Sequence, residues 1–459
     1  MSDNPVNVQP GLLAVELQTD APCYFLELKV ENVRSFGIPQ TLDLSDGKGR
    51  PAQWVILLGD NGAGKTTLLQ CLAAMIPCQF EPRFRDPDFK RYAPEIFLNP
   101  GDEKYRNFLR AGSKELTISI GLECGTKLET RDPQFQKYGK TGKVVAVTLG
   151  MRLMSSFDGP FPPQASHFLV YAYGATRRIG SAALSETRDS DPRATLFDEN
   201  RPLLNAEEWL LQADYAAVKN HDEKSAERRD RIKGILIRLL PEVADLRIQT
   251  SGSQSAFVEA LTPFGWVPMR ALSSGYRSVV AWMMDLASRL FDRYPTSPDP
   301  LAEPAVVLVD QIDLLLHPKW QRELVQNLTA IFRNTQFIVT AHSPLIVQAA
   351  TEAKIVLLRR ENDHVVIDNR AESVRGWRLD QIVSSDLFEN QGTRDPKTEE
   401  LLKQRKAILT KPHISVEDKH ALQTLDQEIG SLRFGETADE VRAMEIIERA
   451  SKMLEGQKL

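Results

Sequence analysis

Apolar and polar positions along the chain switch between two periods, and the switches mark out its elements. Residues 55–58 form an unbroken apolar run, the pattern of a strand buried on both faces, and residues 67–72 beyond it have helical spacing. Residues 24–33 alternate as a half-buried strand does. Arg34-Ser35-Phe36-Gly37 turns the chain, and residues 40–44 return as a second strand. Residues 115–124 and 143–150 alternate in the same way around a charged turn region at 125–142. Further strands are predicted at 167–173, 247–252, 255–261, 336–340 and in the apolar run that ends at Asp310. Helical spacing returns at 206–219, at 225–240 before Pro241, and at 281–290. Beyond Asp386 the chain is polar, and heptad-like spacing predicts helices over 397–409, 415–432 and 437–454, with breaks at Pro412 and Gly435.

The apolar run at 55–58 takes its meaning from the eight residues after it. Gly59-Asp60-Asn61-Gly62-Ala63-Gly64-Lys65-Thr66 is G-x-x-x-x-G-K-T between a strand and a helix, the context that marks a P-loop. Backbone N–H groups of Gly59, Asn61, Gly62, Ala63, Gly64 and Thr67 can wrap phosphate oxygens, and the helix N-terminus adds partial positive charge. Lys65 is placed to reach the β/γ-phosphates, and the Thr66 hydroxyl to ligate Mg²⁺. A nucleoside triphosphate is the ligand this implies.

Two later stretches extend the pattern. Leu272-Ser273-Ser274-Gly275-Tyr276 opens an apolar helix, so a hydroxyl, backbone N–H groups and a helix dipole face an anion. Asp310 ends a buried strand, the position from which a carboxylate holds Mg²⁺ through water. His342 follows the strand at 336–340. Arg177 and Arg178 follow the strand at 167–173, where nucleotide contacts cluster in α/β sheets and structural ion pairs also form.

These motifs, in this order, resemble the ABC-type ATPases, and the hairpin with an R-S-F turn before the P-loop resembles their SMC/RecF-like branch. A narrower resemblance rests on Val33-Arg34-Ser35-Phe36, YAYGATRR at 171–178, LLNAEEWL at 203–210, DQIDLLLHPKWQ at 310–321 and GWRLDQI at 376–382. Those segments are similar to the stand-alone ATPases of Septu-type and retron-linked anti-phage systems, related to the overcoming-lysogenisation-defect family. The resemblance implies an α/β P-loop head: a mixed central sheet with flanking helices, an antiparallel β-subdomain, a helical insertion and a helical C-terminal tail. It divides the chain into an arm (1–20), lobe I (21–180), an insertion (181–245), lobe II (246–375) and a helical region (376–459).

The same resemblance implies ATP and Mg²⁺ as cofactors and a head-to-tail dimer, or a higher homo-oligomer, around two nucleotides. Ser273, Ser274 and Gly275 of one copy then face the P-loop of the other, His342 bonds the γ-phosphate, and Arg34 or Phe36 lies against the adenine. It also implies a separate HNH-type nuclease subunit, with phage DNA or retron DNA/RNA as candidate nucleic acids. One position departs from the family. Gln311 stands where a glutamate serves as general base, and an amide cannot accept a proton at neutral pH. Gln311 belongs either to a natural weak hydrolase or to a deliberate replacement that traps the ATP state, and the intact remainder of the motif set favours replacement. A DNA-repair or DNA-scanning ATPase of the same branch is the alternative function. A transporter head fits poorly, because no Q-loop glutamine can be placed.

Composition narrows the picture only a little. The 459 residues allow about three domains. Hydrophobic content of 42% and charged content of 26% are ordinary for a globular protein. A net charge of −5 gives no bulk attraction to nucleic acid, so any such site must be a local basic patch. Aromatic and basic residues interleave at 80–92, as in single-strand binders and in ordinary irregular inserts alike. Cys23, Cys71, Cys78 and Cys124 have no metal-ligand spacing, and reduced thiols in a cytoplasmic protein are expected. No run of eighteen apolar residues exists, so no membrane is expected as a partner.

Overall fold

The computed structural model describes residues 22–75, 77–80, 91–94, 108–113, 116–124, 143–150, 157–158, 168–178, 191–220, 223–240, 242–249, 256–272, 274–370, 374–388, 394–409, 411 and 415–429. The chain divides into two compact units, Met1–Ile382 and Val383–Leu459.

A six-stranded sheet organises the first unit. Its order is His364–Asp368, Lys354–Glu361, Trp54–Gly59, Thr335–Thr340, Ala305–Val309 and Val170–Tyr173. Five of these strands run parallel, and His364–Asp368 closes one edge antiparallel. Continuous apolar runs suit the central positions, because parallel strands lose both faces to packing. Ala305–Val309 and Thr335–Thr340 are buried at every residue. The helix Lys65–Ala74 buries eight of its ten residues, including Leu68, Leu69, Cys71 and Leu72. Its apolar positions run all round, as in a helix with protein on every side.

A five-stranded antiparallel sheet takes the order Gln40–Asp43, Cys23–Glu31, Thr117–Cys124, Lys143–Gly150, Phe157–Asp158. One buried amide joins it to the central sheet. Gln336 accepts from the Phe25 N–H at 2.9 Å and donates to the carbonyls of Phe25 and Ala52 at 2.8 and 3.2 Å. The Tyr24 hydroxyl donates to Asn334 O at 2.8 Å nearby. Buried polar groups are tolerated where they are bonded, and here the bonds set the register between two sheets.

Helices Ala206–Asn220 and Glu223–Leu239 match the predicted pair, and a small antiparallel sheet lies beyond them: Asp245–Gln249, Phe257–Thr262 and Gly265–Pro268. Residues 77–80 and 91–94 form a hairpin inside a stretch that reads as loop. The fold is the α/β P-loop architecture that the motif order implies, with a mixed central sheet, flanking helices and antiparallel sheets.

The expectation of reduced thiols fails at Cys23, which is disulfide-bonded. Strand register places Cys124 directly opposite it, a proximity that spacing along the chain does not reveal. Cys71 is free and buried, and its thiol is pushed up to about 12 mainly by that burial. No helix among the described residues is long and apolar enough to cross a membrane.

The second unit pairs helices Pro396–Leu409 and Val416–Ile429. Arg405 bonds Asp426 across the pair at 2.6 Å, and Leu425 is the buried side chain of the second helix.

Candidate functional site

The P-loop leaves its strand at Gly59, whose φ of +137° belongs to glycine. A Cβ there would stand 2.5 Å from the Leu358 carbonyl of the adjacent strand. Gly64 then caps the helix at φ +87°, with the Phe36 ring and the Ser35 hydroxyl directly beneath it. The tight loop thus rests on the R-S-F turn. Lys65 folds back over it, and its Nζ donates to Gly59 O at 2.6 Å and Asp60 O at 2.8 Å. Burial lowers the Lys65 pKa, while Asp310, Asp60 and Asp313 oppose that shift.

Parallel pairing carries Asp310 to the same edge of the sheet as the P-loop. The Thr66 hydroxyl donates to Asp310 Oδ2 at 2.7 Å, and the Thr340 hydroxyl donates to Asp310 Oδ1 at 2.6 Å. Thr340 Oγ1 also accepts the Gln311 N–H at 2.7 Å. Thr340 therefore joins two consecutive residues of the neighbouring strand end, although nothing in its local sequence singles it out. Gln311 lies at φ +49°, a conformation that costs a non-glycine residue roughly 1–2 kcal/mol.

The strand Thr335–Thr340 delivers His342. Its backbone N–H donates to Asp313 Oδ2 at 2.9 Å, which ties the histidine to the turn after Asp310. Burial lowers the His342 pKa, the Lys65 charge lowers it further, and Asp313, Asp310 and Asp60 oppose both. The imidazole is therefore neutral at pH 7, with one N–H donor and one acceptor nitrogen. The Ser343 hydroxyl donates to Gln321 Oε1 at 2.6 Å and steadies the same turn.

Of the two arginines after the strand Val170–Tyr173, Arg177 turns inward. It is 3% exposed at φ +40°, and its Nη2 donates to the carbonyls of both Asp310 and Gln311. Arg178 is exposed.

The donor set suits a hard divalent cation. A hydroxyl and a carboxylate supply oxygen ligands, and phosphate oxygens complete such a shell in P-loop sites. No cluster of three or more His, Cys, Asp or Glu side chains able to hold a metal occurs among the described residues. Thr66 and Asp310 would hold Mg²⁺ together with a bound nucleotide rather than alone.

The remaining candidate residues fall in three places. Arg34, at φ +44°, bonds Gln70 Oε1 at 2.9 Å and lies over the Phe108 ring at 5.3 Å. Phe36 is fully buried in the core under Gly64. A base therefore finds no face of that ring, and the expectation that Phe36 lies against adenine is corrected: the aromatic supports the loop from within. Ser273 lies outside the described residues. Ser274 and Gly275 begin the helix Ser274–Arg293, and the side chains at 274–280 also lie outside.

A cavity of about 320 Å³ opens beside the first half of the P-loop, between Ser35, Asp60 to Ala63 and the turn carrying Arg360, Asp363 and His364. Arg110 pins that turn through the backbone and carboxylate of Asp363 at 2.8 and 3.0 Å. The hairpin at 354–368 is absent from the sequence-based expectations. The apolar run Ile355 to Leu358 and the β-branched residues of His364–Asp368 are the signals that could have found it.

Residues 172–348 match the family described as "AAA domain, putative AbiEii toxin, Type IV TA system", and residues 27–149 match one described as "AAA domain". The Septu protein PtuA of Bacillus mycoides (strain KBAB4) is 24% identical over 413 residues, 89% of this chain and 51% of that protein. The Retron Ec83 probable ATPase of Escherichia coli is 27% identical over 253 residues, 54% of this chain and 44% of that protein. The chain thus spans about half the length of these curated relatives. Among solved structures, the SMC head domain from Thermotoga maritima aligns at a TM-score of 0.38 and 13% identity, over 75% of this chain and 97% of that one. A likeness at that level says nothing of activity. In sequence the chain is similar to the Septu protein PtuA and to the retron ATPases, and the order of its motifs resembles that of ABC-type ATPases.

Proposed function

We propose that the chain binds Mg²⁺ and ATP and hydrolyses ATP slowly, as the head of a head-to-tail dimer, and that nucleotide occupancy regulates a separate HNH-type nuclease subunit in anti-phage defence. The observation that carries this reading is the Thr66–Asp310–Thr340 bridge, which places the P-loop hydroxyl and the acidic strand end at one point. The name "probable ATPase" of the retron relative supports the ATPase part of this reading, while the defence role and the nuclease partner follow from the family resemblance alone.

P-loop N–H groups hold phosphate oxygens, and Lys65 moves from its own loop carbonyls to the β/γ-phosphates. Thr66 and Asp310 would hold Mg²⁺, which would supply charge that neutralises the phosphates. His342, neutral at working pH, donates a hydrogen bond to the γ-phosphate. The second copy contributes Ser273, Ser274 and Gly275 at the N-terminus of their helix, so each nucleotide is shared and its presence sets the geometry of the pair. Gln311 cannot take a proton from the attacking water, and loss of a general base costs ~10²–10⁴ in rate. ATP is then held longer than it is split. Lobe I (21–180), the insertion (181–245), lobe II (246–375) and the helical region (376–459) are the working divisions of this head.

Mass measurement of the purified chain with and without Mg·ATP tests the reading. A dimer mass that requires Mg·ATP and disappears in Lys65→Ala supports it. A monomer at saturating Mg·ATP removes the shared site, and absence of ATP binding removes the whole assignment.

A further inference from the structure

Asp310 and Gln311 present their carbonyl oxygens to a single nitrogen, and this is unusual for residues at a strand end. In an extended strand successive carbonyls point to opposite sides. They converge here because Gln311 leaves the strand at φ +49°. The nitrogen is Arg177 Nη2, bonded to both oxygens. Arg177 Nε donates to Gly174 O at 3.3 Å, which anchors the guanidinium to its own strand end. That strand is the parallel neighbour of Ala305–Val309, and Asp310 N donates to Tyr173 O at 2.8 Å. The turn is thus held from its carbonyl side by Arg177 and from its N–H and carboxylate side by Thr340.

A purely structural arginine would use all its donors. Among the described residues Arg177 Nη1 finds no acceptor, although it is buried in a residue only 3% exposed. Leaving a charged donor unmet inside a protein is costly, so such atoms call for a specific account. Asp310 and Asp313 lie close enough to act electrostatically on the guanidinium, but neither carboxylate bonds Nη1.

We infer that Arg177 is a positioning residue: it fixes the Asp310–Gln311 turn in the geometry that receives a metal-bound nucleotide, and it keeps Nη1 for an oxygen acceptor that arrives with that ligand. The inference rests on the ATP-binding reading above and adds to it a residue outside the P-loop, the acidic strand end and the serine-glycine helix start. A planar fork is required, since one guanidinium must reach three carbonyls through Nε and Nη2 and a fourth acceptor through Nη1.

The test compares the full chain with Arg177→Met and Arg177→Lys, each checked for folding by thermal melt. Affinity is measured for ATP without metal and for Mg·ATP. In Arg177→Met, metal-free binding stays within threefold of the parent, and Mg·ATP binding weakens at least tenfold. Arg177→Lys, which keeps the charge and loses the fork, falls between the two. A folded Arg177→Met with Mg·ATP affinity within threefold of the parent overturns the inference. So does an equal loss with and without metal, or failure of both variants to fold, since each assigns Arg177 to the fold alone. If the parent itself binds no nucleotide, the functional reading falls and this inference falls with it.

Discussion

Thr66 and Asp310 stand 244 positions apart in the chain and meet in a 2.7 Å hydrogen bond. One lies on the first turn of a helix and the other at the end of a strand two places away in the sheet. Parallel pairing through Thr335–Thr340 brings them together, and Thr340 completes the contact from the strand between.

Replacing Asp310 with Ala removes both hydroxyl partners and the proposed metal ligand. We expect Mg·ATP affinity to fall at least tenfold while metal-free binding changes little, read by calorimetry. Stability should drop by about 1–3 kcal/mol in denaturant titration, from the buried Thr340 hydroxyl and the part-buried Thr66 hydroxyl losing their shared acceptor.

Gln311→Glu restores a group able to accept a proton. Phosphate release should rise by ~10²–10⁴ at unchanged ATP affinity. Equal rates in the two proteins would remove position 311 from the mechanism.

Gly64→Ala tests the support of the loop. The new Cβ would meet Ser35 Oγ at 2.6 Å and Phe36 Cε2 at 2.8 Å, at φ +87°. Backbone strain alone costs roughly 1–2 kcal/mol. A lowered melting temperature together with lost nucleotide binding is expected. Gly62→Ala, whose Cβ would meet nothing within 4 Å, keeps the backbone strain without the clash and should cost less stability.

The depressed pKa of His342 makes stability depend on acid. The unfolded chain takes up this proton as pH falls through about 6.5, before the folded chain does. Stability contributed by the neutral ring is fully present above that value and declines as pH falls toward the lower folded pKa. Urea midpoints at pH 7.5 and 5.5 should show a larger acid-induced loss in the parent than in His342→Gln. Equal losses would mean that His342 does not carry the effect.

Much of the site is legible in the sequence because its signals are local. Gly59 to Thr67 is a contiguous motif, and the apolar run before Asp310 predicts both a buried strand and the acidic end that meets Thr66 there. The alternation at 24–33 and 115–124 predicts two strands that the structure pairs across the same sheet. Phe36 is misplaced by sequence for a physical reason: an aromatic in a turn suits either a ligand face or a core, and only packing under Gly64 decides between them. Arg177 is open in sequence between a nucleotide contact and an ion pair, and the structure adds bonds to three backbone carbonyls that no local pattern reveals.

By itself the sequence determined many of the strands and helices, that one loop has the glycine spacing of a phosphate cradle, and that an amide stands where the family resemblance expects a base. Those properties belong to short windows, where side-chain period and glycine spacing act directly on the backbone. Only the tertiary structure decided which strand lies beside which, and with it the meeting of Thr66, Asp310 and Thr340, the grip of Arg177 on the Asp310–Gln311 turn, and the cavity against Asp363 and His364. Parallel strands pair through backbone groups that every residue carries, so their order leaves little trace in any local pattern and emerges from packing the whole core.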